Sequence, residues 1–465
     1  MKSRDLINLG IPKEHLKAAI AAVTNARRGG AKAAEVRRTV RSLSIAPHEF
    51  VADPTFGELA TLLINTPVAT WRERETPAPW AKYGDDLDES AIRQLENACR
   101  LPVAVQGALM PDAHVGYGLP IGGVLATENA IIPYAVGVDI ACRMKLTVLD
   151  TPVHAIKGEK ERLIKAIESE TRFGMGAQFR GRDRRDHEVL EEDTWSEGPV
   201  TKRLKDKAWA QLGTSGSGNH FVEFGTLELN SPDLGLEAGT YLALLSHSGS
   251  RGAGATVAGH YSKLARELHP ELPKELQHLA WLDMDSEAGQ EYWEAMNLMG
   301  RYAAANHEMI HRMVSKALGA KVLADVENHH NFAWKEIHDS KEVYVHRKGA
   351  TPADEGVLGI IPGSMATPGY VVRGRGAAES LKSASHGAGR VMSRTKAKET
   401  VNWSKVKKSL AEKDITLLSA GVDEAPDVYK DIDEVMRAQT DLVDIVAKFS
   451  PKIVKMAPAG EPPED

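Results

Sequence analysis

Near the start of the chain, apolar residues recur three and four positions apart in "EHLKAAIAAVTNA" and again in "AAEVRRTVRSL", with Gly29 and Gly30 between the two stretches. That spacing lays one apolar stripe along each of two helices and breaks the pattern at the glycines. From Pro77 to Asp88, proline, aromatic and acidic residues replace the periodicity, which reads as a linker. "AIRQLENACRLP" returns to helical spacing and stops at Pro102. Beyond it come short β-type runs cut by glycine: "VAVQGALM", "IGGVLAT", "AIIPYAVGVDI" and "RMKLTVLD". Helices are expected over residues 155–170 and 202–211, strands at "HFVEFG" and "TYLALLSHSG", and a long helix from about Ser286 to Leu318. "EVYVHRKGATPA" and "GVLGIIPGSM" read as strands with turns. Strands and helices mix without regular β-α alternation, so the expected class is α+β, not a doubly wound sheet. The expected division is a helical extension and linker over 1–89, a main domain over 90–456 and a flexible tail over 457–465.

A chain of 465 residues can bury a sizeable core, and its 42% apolar and 26% charged residues are those of a soluble globular protein. No apolar run approaches the roughly 18–20 residues a membrane-spanning helix needs. The opening "MKSRDLINLG" lacks the apolar centre of a signal peptide, so a cytoplasmic protein is expected. Two cysteines, Cys99 and Cys142, cannot build a disulfide framework. Net charge is −6, yet between Arg373 and Lys408 ten Lys and Arg stand against Glu379 and Glu399. That stretch reads as either a solvated basic face or a contact for nucleic acid. The acidic run from Asp423 to Glu434 offsets it in the total.

Polar, titratable residues recur where a β-type run meets a glycine loop. "MPDAHVGYG" holds Asp112 and His114; "VGVDIACRM" holds Asp139 and Cys142; "QLGTSGSGNHFVEF" holds Asn219, His220 and Glu223. "LSHSGSRGAG" adds His247 and Arg251, "VENHHNFAW" adds His329, His330 and Asn331, "IPGSMATPGY" adds Ser364, and "SASHGAGR" adds His386 and Arg390. Loops on a rigid scaffold are where sites are built. Asp139, Cys142, His220, His247 and one of His329 or His330 form a ligand set of thiolate, imidazole and carboxylate, which suits a borderline divalent metal and, by ligand type alone, zinc. A bridging thiolate would turn five ligands into a two-metal site. "HEMIH", His307 to His311, matches the spacing of zinc peptidases but lacks a third ligand downstream; its bland reading is the polar face of a helix. No P-loop occurs.

Taken in order, "MPDAHVGYG", "AVGVDIAC", "GSGNHFVE", "HSGSRG", "HHN", "PGSM" and "SHGAGR" resemble the RtcB family of RNA ligases, over roughly residues 90 to 456 and as a divergent bacterial-type member. The resemblance implies the family's compact α+β fold. It implies that His386 accepts GMP from GTP, and that two Mn(II) ions are held by Asp139, Cys142, His220, His247 and His330. It further implies nucleotide contacts from Asn219, Glu223 and Ser364 and phosphate contacts from Arg251 and Arg390. The implied reaction is GTP-dependent ligation of an RNA 3′-phosphate, or a 2′,3′-cyclic phosphate, to a 5′-hydroxyl, in RNA repair or tRNA splicing. The implied partners are such RNA, GTP and an activating protein, with no membrane.

Three departures bear on this expectation. Arg143 follows the metal cysteine where the family has glycine, so a long cation could contact RNA or obstruct the metals. Pro368 and Gly369 stand where a small residue and a serine are usual, which removes a hydroxyl. The chain continues past Lys455 as "MAPAGEPPED", where the family typically ends in Lys-Gly. The alternatives are a metal-dependent phosphodiesterase or other hydrolase, and an RNA-binding relic without ligase activity.

Overall fold

The computed structural model describes residues 1–12, 15–65 and 73–461. Glu14 of the first helical stretch and the last four residues of the tail lie outside the described residues. Four helices open the chain: α1 (Ser3–Ile7), α2 (Leu16–Arg28), α3 (Ala33–Ile45) and α4 (Gly57–Asn65). The apolar stripes read from the sequence face inward, with Ala19, Ala22 and Val23 of α2 and Val36, Val40 and Leu43 of α3 buried. Together with Leu6, Ile11 and Leu59 they form a cluster of their own. Arg4 pairs with Glu287 at 2.8 Å and with Glu291, and Arg41 pairs with Glu267, which ties this block to the rest of the protein.

The stretch read as a linker carries a short strand, β1 (Trp80–Lys82), which pairs in parallel with β2 (Ala104–His114). Between them lies α5 (Glu89–Cys99), capped where the Asp88 carboxylate accepts from Ser90 N at 2.7 Å. A five-stranded sheet runs in the order β1, β2, β3 (Ile121–Thr127), β9 (Lys341–Lys348) and β8 (Asn331–His338). The second sheet has eight strands. Its path runs β10 (Leu358–Ile361), β11 (Gly369–Gly374), β12 (Val443–Met456), β5 (Phe221–Leu229), β6 (Gly239–Ser248), β4 (Arg143–Leu149) and β7 (Val322–His329). A further strand, Thr416–Ser419, joins β12 in parallel.

Two helices back the sheets: α6 (Arg251–Leu268) and α7 (Glu287–Leu318). At 32 residues α7 is about 48 Å long. Ser286 caps its start by accepting from Gly289 N, and Gly319 ends it in the left-handed region. Its first half buries Tyr292, Met296 and Tyr302 in the largest core, and its last turns bury Ile310, Val314 and Leu318 against the eight-stranded sheet. One helix thus fixes the two sheets relative to each other. The class is α+β.

Several expectations are corrected. "AIIPYAVGVDI" is strand only at Ala130–Ile131; Pro133, with no N–H to give a ladder, opens a one-turn helix instead. The region around "VENHHNFAW", read as loop, is β7 and β8 joined at His330. The glycine loop containing Arg251 is the start of α6.

Candidate active site

In the eight-stranded sheet, β4 and β5 begin at the edge where β6 and β7 end, because each neighbouring pair is antiparallel. The registers place His247 opposite both Met144 and Phe221, and His329 opposite Arg143. Four strand ends therefore bring Cys142, His220, His247 and His330 to one rim. The same rim faces the ends of β2 and β9 in the other sheet and the short strand Ser383–Ser385 that precedes His386. A cavity of about 790 Å³ opens there, lined among others by Asp139, Cys142, Asn219, His220, Glu223, His247, His330, Ser364, His386 and Arg390.

The donor atoms converge. Cys142 Sγ lies 3.1 Å from His247 Nε2 and 3.4 Å from His220 Nε2. His220 Nε2 lies 3.2 Å from Asp139 Oδ2, and His247 Nε2 lies 3.2 Å from His330 Nε2. Among the described residues, Cys142, His220 and His247 are the one such group of three potential ligands. Their tautomers are fixed from behind. His220 Nδ1 faces the Ser215 carbonyl at 2.9 Å and His247 Nδ1 faces the Asn219 carbonyl at 3.1 Å, and a carbonyl can only accept. Each Nδ1 therefore carries a proton, and each Nε2 faces the cluster. Burial, above all, holds His247 down at about 3 and His330 well below the ordinary range. For Asp139, burial pushes the pKa up, but the His220 hydrogen bond and charge outweigh it and the net shift is downward. Imidazole nitrogens, a thiol and a carboxylate are thus crowded at hydrogen-bond distance in one buried cluster, a donor set that suits a divalent cation.

Glycine is required where the backbone approaches these carboxylates. A Cβ at Gly249 would collide with Asp139, whose Oδ1 accepts from Ser250 N at 3.1 Å. A Cβ at Gly389, which has φ +73°, would collide with the backbone of Asp112.

His386 is held by Asp112, which is fully buried at an irregularity in β2. One oxygen, Asp112 Oδ2, accepts from His386 Nδ1 at 2.6 Å, from His386 N at 3.1 Å and from Gly387 N at 3.2 Å. Nδ1 therefore carries a proton, and Nε2 is the ring nitrogen that Asp112 leaves free. The ring stands 4.9 Å from that of His330, centroid to centroid, so this nitrogen and the ligand cluster share one cavity.

Similarity to known proteins decides what this geometry belongs to. A family profile described as "tRNA-splicing ligase RtcB" matches residues 94–456. An Escherichia coli protein named "RNA-splicing ligase RtcB1" is 34% identical over 401 residues, covering 79% of this chain and 94% of that protein. An Archaeoglobus fulgidus protein named "tRNA-splicing ligase RtcB" is 32% identical over 450 residues, covering 80% of this chain and 91% of that protein.

The chain belongs to the RtcB family.

Within this RtcB chain the remaining expected residues fall in different places. Ser364 bonds Thr367 Oγ1 at 2.9 Å, and Thr367 lines the cavity, so a hydroxyl stands near where Gly369 lacks one. Glu223 lies on the same wall, and burial raises its pKa well above the carboxylate range. Arg390 lines the cavity while its Nη2 donates to Asp423 O at 2.8 Å. Arg251 lies behind the wall, where Nε donates to Thr214 Oγ1 at 3.2 Å and Nη1 approaches His220 Nδ1 at 3.4 Å.

Of the adjacent histidines, His330 faces the cluster. His329 turns the other way, against Trp334 and towards Arg143 Nη2 at 3.2 Å. Strand alternation sends Arg143 to that face too, where it meets Glu327 at 3.5 Å; it neither fills the cavity nor touches the ligands. Lys455 likewise points away, to Glu168 at 3.6 Å and over the Phe173 ring, while Val454 and Met456 line the cavity.

His307 and His311 are not a polar face. Both are buried, in a chain from Thr147 Oγ1 to His311 Nδ1 (2.7 Å), His311 Nε2 to Ser246 Oγ (2.8 Å) and Ser246 Oγ to His307 Nδ1 (2.7 Å). The basic stretch is divided: acids pair with its arginines, while Lys396, Lys405 and Lys407 are exposed as a solvated face would have them. Arg394 pairs with Asp423 at 3.1 Å and with Glu424, and Arg373 and Arg375 pair with Asp233 and Asp444.

Two residues the sequence reading left without a role line or serve the site. Asp112 lay in a motif already singled out; only the fold shows that it holds His386. Lys348 ends β9 inside the cavity, its Nζ donating to Tyr117 O at 2.7 Å and lying 5.0 Å from the Tyr134 ring. Burial lowers its pKa to about 7. A lysine at an inward position of the strand "EVYVHRK", just before a glycine, was the available signal.

Proposed function

We propose that this protein seals RNA, joining a 3′-phosphate or 2′,3′-cyclic phosphate end to a 5′-hydroxyl end, with GTP as energy source, two Mn(II) ions as cofactors and His386 as the carrier of GMP. The observation that carries this reading is the Asp112–His386 pair opening onto the cavity that also holds the thiolate, imidazole and carboxylate donors. Asp139, Cys142, His220, His247 and His330 would hold the ions. Cations there would supply Lewis-acid stabilisation of charge gathering on phosphoryl oxygens.

His386 Nε2, its proton kept on Nδ1 by Asp112, attacks the α-phosphorus of GTP; an N–P bond forms and pyrophosphate leaves. Arg390 adds positive charge on the cavity wall, and the charge of the buried Arg251 favours the ionised Asp139 carboxylate from behind. Asn219, Glu223 and Ser364 offer the hydrogen-bonding groups that a guanine edge requires. An oxygen of the RNA 3′-phosphate then attacks the same phosphorus, the N–P bond breaks, and GMP passes to the RNA end. The 5′-hydroxyl, losing its proton, displaces GMP and forms the phosphodiester. A cyclic phosphate is first opened by water. RNA repair or tRNA splicing in the cytoplasm is the setting that fits, and two free cysteines suit its reducing conditions.

Ligation of RNA strands bearing these ends tests the reading. Joining is expected to require both GTP and manganese and to vanish in His386→Ala. RNA cleavage without joining, undiminished in that variant, would instead establish a metal-dependent hydrolase.

A further inference from the structure

We infer that the tip of the N-terminal helical hairpin is a second RNA-binding surface, one that holds the phosphate backbone of an RNA stem away from the ends being joined. The inference rests on the RNA-ligase reading for the identity of the polyanion.

The hairpin is formed by α2 and α3, and its tip reads "RRGGAKAAEVRR" from Arg27 to Arg38. Five cations, Arg27, Arg28, Lys32, Arg37 and Arg38, stand there against one acid, Glu35, in a chain whose net charge is −6. All five are exposed. Arg27 Nη1 caps its own turn by donating to Ala31 O at 2.7 Å. Arg28, Arg37 and Arg38 make no ion pair with any described residue.

The contrast with the protein's other cations is the argument. In the same block, Arg4 and Arg41 are used for docking onto Glu287, Glu291 and Glu267. In the basic stretch near the site, the arginines Arg373, Arg375 and Arg394 and also Lys382 have acidic partners, and the cations left exposed there, Lys396, Lys405 and Lys407, are spread out along two helices. At the hairpin tip five cations are packed into twelve residues and, among the described residues, no acid pairs with Arg28, Arg37 or Arg38, so like charge repels there and adds nothing to folding. Such a patch recovers its cost against a dense array of phosphates, through charge-assisted and bidentate guanidinium contacts.

The tip also says which feature of RNA it reads. No aromatic residue lies between Arg27 and Arg38, so bases cannot stack on it, and contact runs through phosphates without sequence preference. Its position agrees. Arg41 docks on Glu267 in the last turn of α6, whose first residue, Arg251, lies behind His220. Sixteen residues of helix separate those points, about 24 Å. A stem held at the tip is thus remote from the cavity, while its strand ends can reach it.

The test compares the full-length parent with two variants: Arg27, Arg28, Lys32, Arg37 and Arg38 all changed to alanine, and the four arginines changed to lysine. The probes are an RNA stem-loop and a short single strand with a 3′-phosphate. The alanine variant is expected to bind the stem-loop roughly tenfold or more weakly at physiological salt and to lose about 0.9 of log–log salt slope per phosphate contact removed. The lysine variant is expected to keep the parent's slope, because the contact is one of charge. Joining of short strands and GMP transfer are expected to stay at parental levels in both. Equal stem-loop affinity and slope in parent and alanine variant would overturn the inference, as would an alanine variant indistinguishable from the lysine variant. Failure of the parent itself to transfer GMP would instead overturn the ligase reading, and the two failures are read separately.

Discussion

The Asp112 carboxylate accepts from His386 Nδ1, so its exchange for asparagine separates charge from shape. The two backbone N–H donors at Oδ2 keep the asparagine oxygen in that position, so the Nδ1 hydrogen bond stays while the negative charge that favours a charged imidazole ring is lost. Asp112→Asn is expected to slow GMP transfer on the order of 10²–10⁴-fold while metal content stays unchanged. Unaltered transfer kinetics would remove Asp112 from the mechanism. The two cysteines differ as sharply. Burial pushes Cys99 up to about 12, so it packs as an inert thiol, whereas Cys142 Sγ sits among imidazole nitrogens. Cys142→Ala is expected to lose most bound metal and Cys99→Ala to keep it, as elemental analysis of the purified proteins would show. Lys348 gives a pH signature. With a pKa of about 7 it is charged below that pH and neutral above it. A bound triphosphate favours the charged form and raises the pKa, so binding of GTP at a pH of about 8 takes up a proton. Calorimetry in buffers of different ionisation enthalpy is expected to show this uptake in the parent and its loss in Lys348→Met. These residues were unequally legible. The ligand types and His386 stand in glycine-marked motifs, whereas the reach of Asp112 across 274 residues exists only once the sheets are folded.

At the scale of elements, strand ends do the assembling, and they were only partly readable. "RMKLTVLD" and "TYLALLSHSG" alternate or run apolar because β4 and β6 lie inside the sheet. β7 is its open edge: Val322, Leu323 and Ala324 carry little of the core, and charged residues interrupt the pattern that marks a strand. β12 carries an irregularity at Pro451–Ile453, which broke its alternation. Glycines hid the start of α6, since Gly252 and Gly254 read as loop until their close packing is seen. The "HEMIH" pair shows the converse, a motif whose spacing was real and whose chemistry was not. Its buried hydrogen-bond chain ties α7 to Thr147 of β4 and Ser246 of β6. Replacing His307 and His311 together with leucine leaves those hydroxyls short of partners and is expected to cost about 2–4 kcal/mol of stability. Metal content and GMP transfer are expected to survive, and urea denaturation with elemental analysis checks both. A tightly held zinc lost from this variant would revive the peptidase reading.

For the whole molecule, helix α7 joins the core of one sheet to that of the other, and the cavity lies where the rims of both sheets meet. That placement explains why residues from seven separate motifs serve one site although none is close to the next in sequence. Charge is distributed to the same end: acids pair with several arginines near the cavity, and a cluster of exposed arginines without acidic partners sits on a helical block outside the matched residues 94–456. No described helix is long and apolar enough to cross a membrane. The central claim is that His386 carries GMP, and intact mass spectrometry after incubation with GTP and manganese tests it most directly. The parent is expected to gain one GMP, stable to alkali and released by acid as a phosphoramidate is, while His386→Ala keeps its metals and gains nothing. A parent that gains no GMP, or an adduct that persists in His386→Ala, would contradict the account.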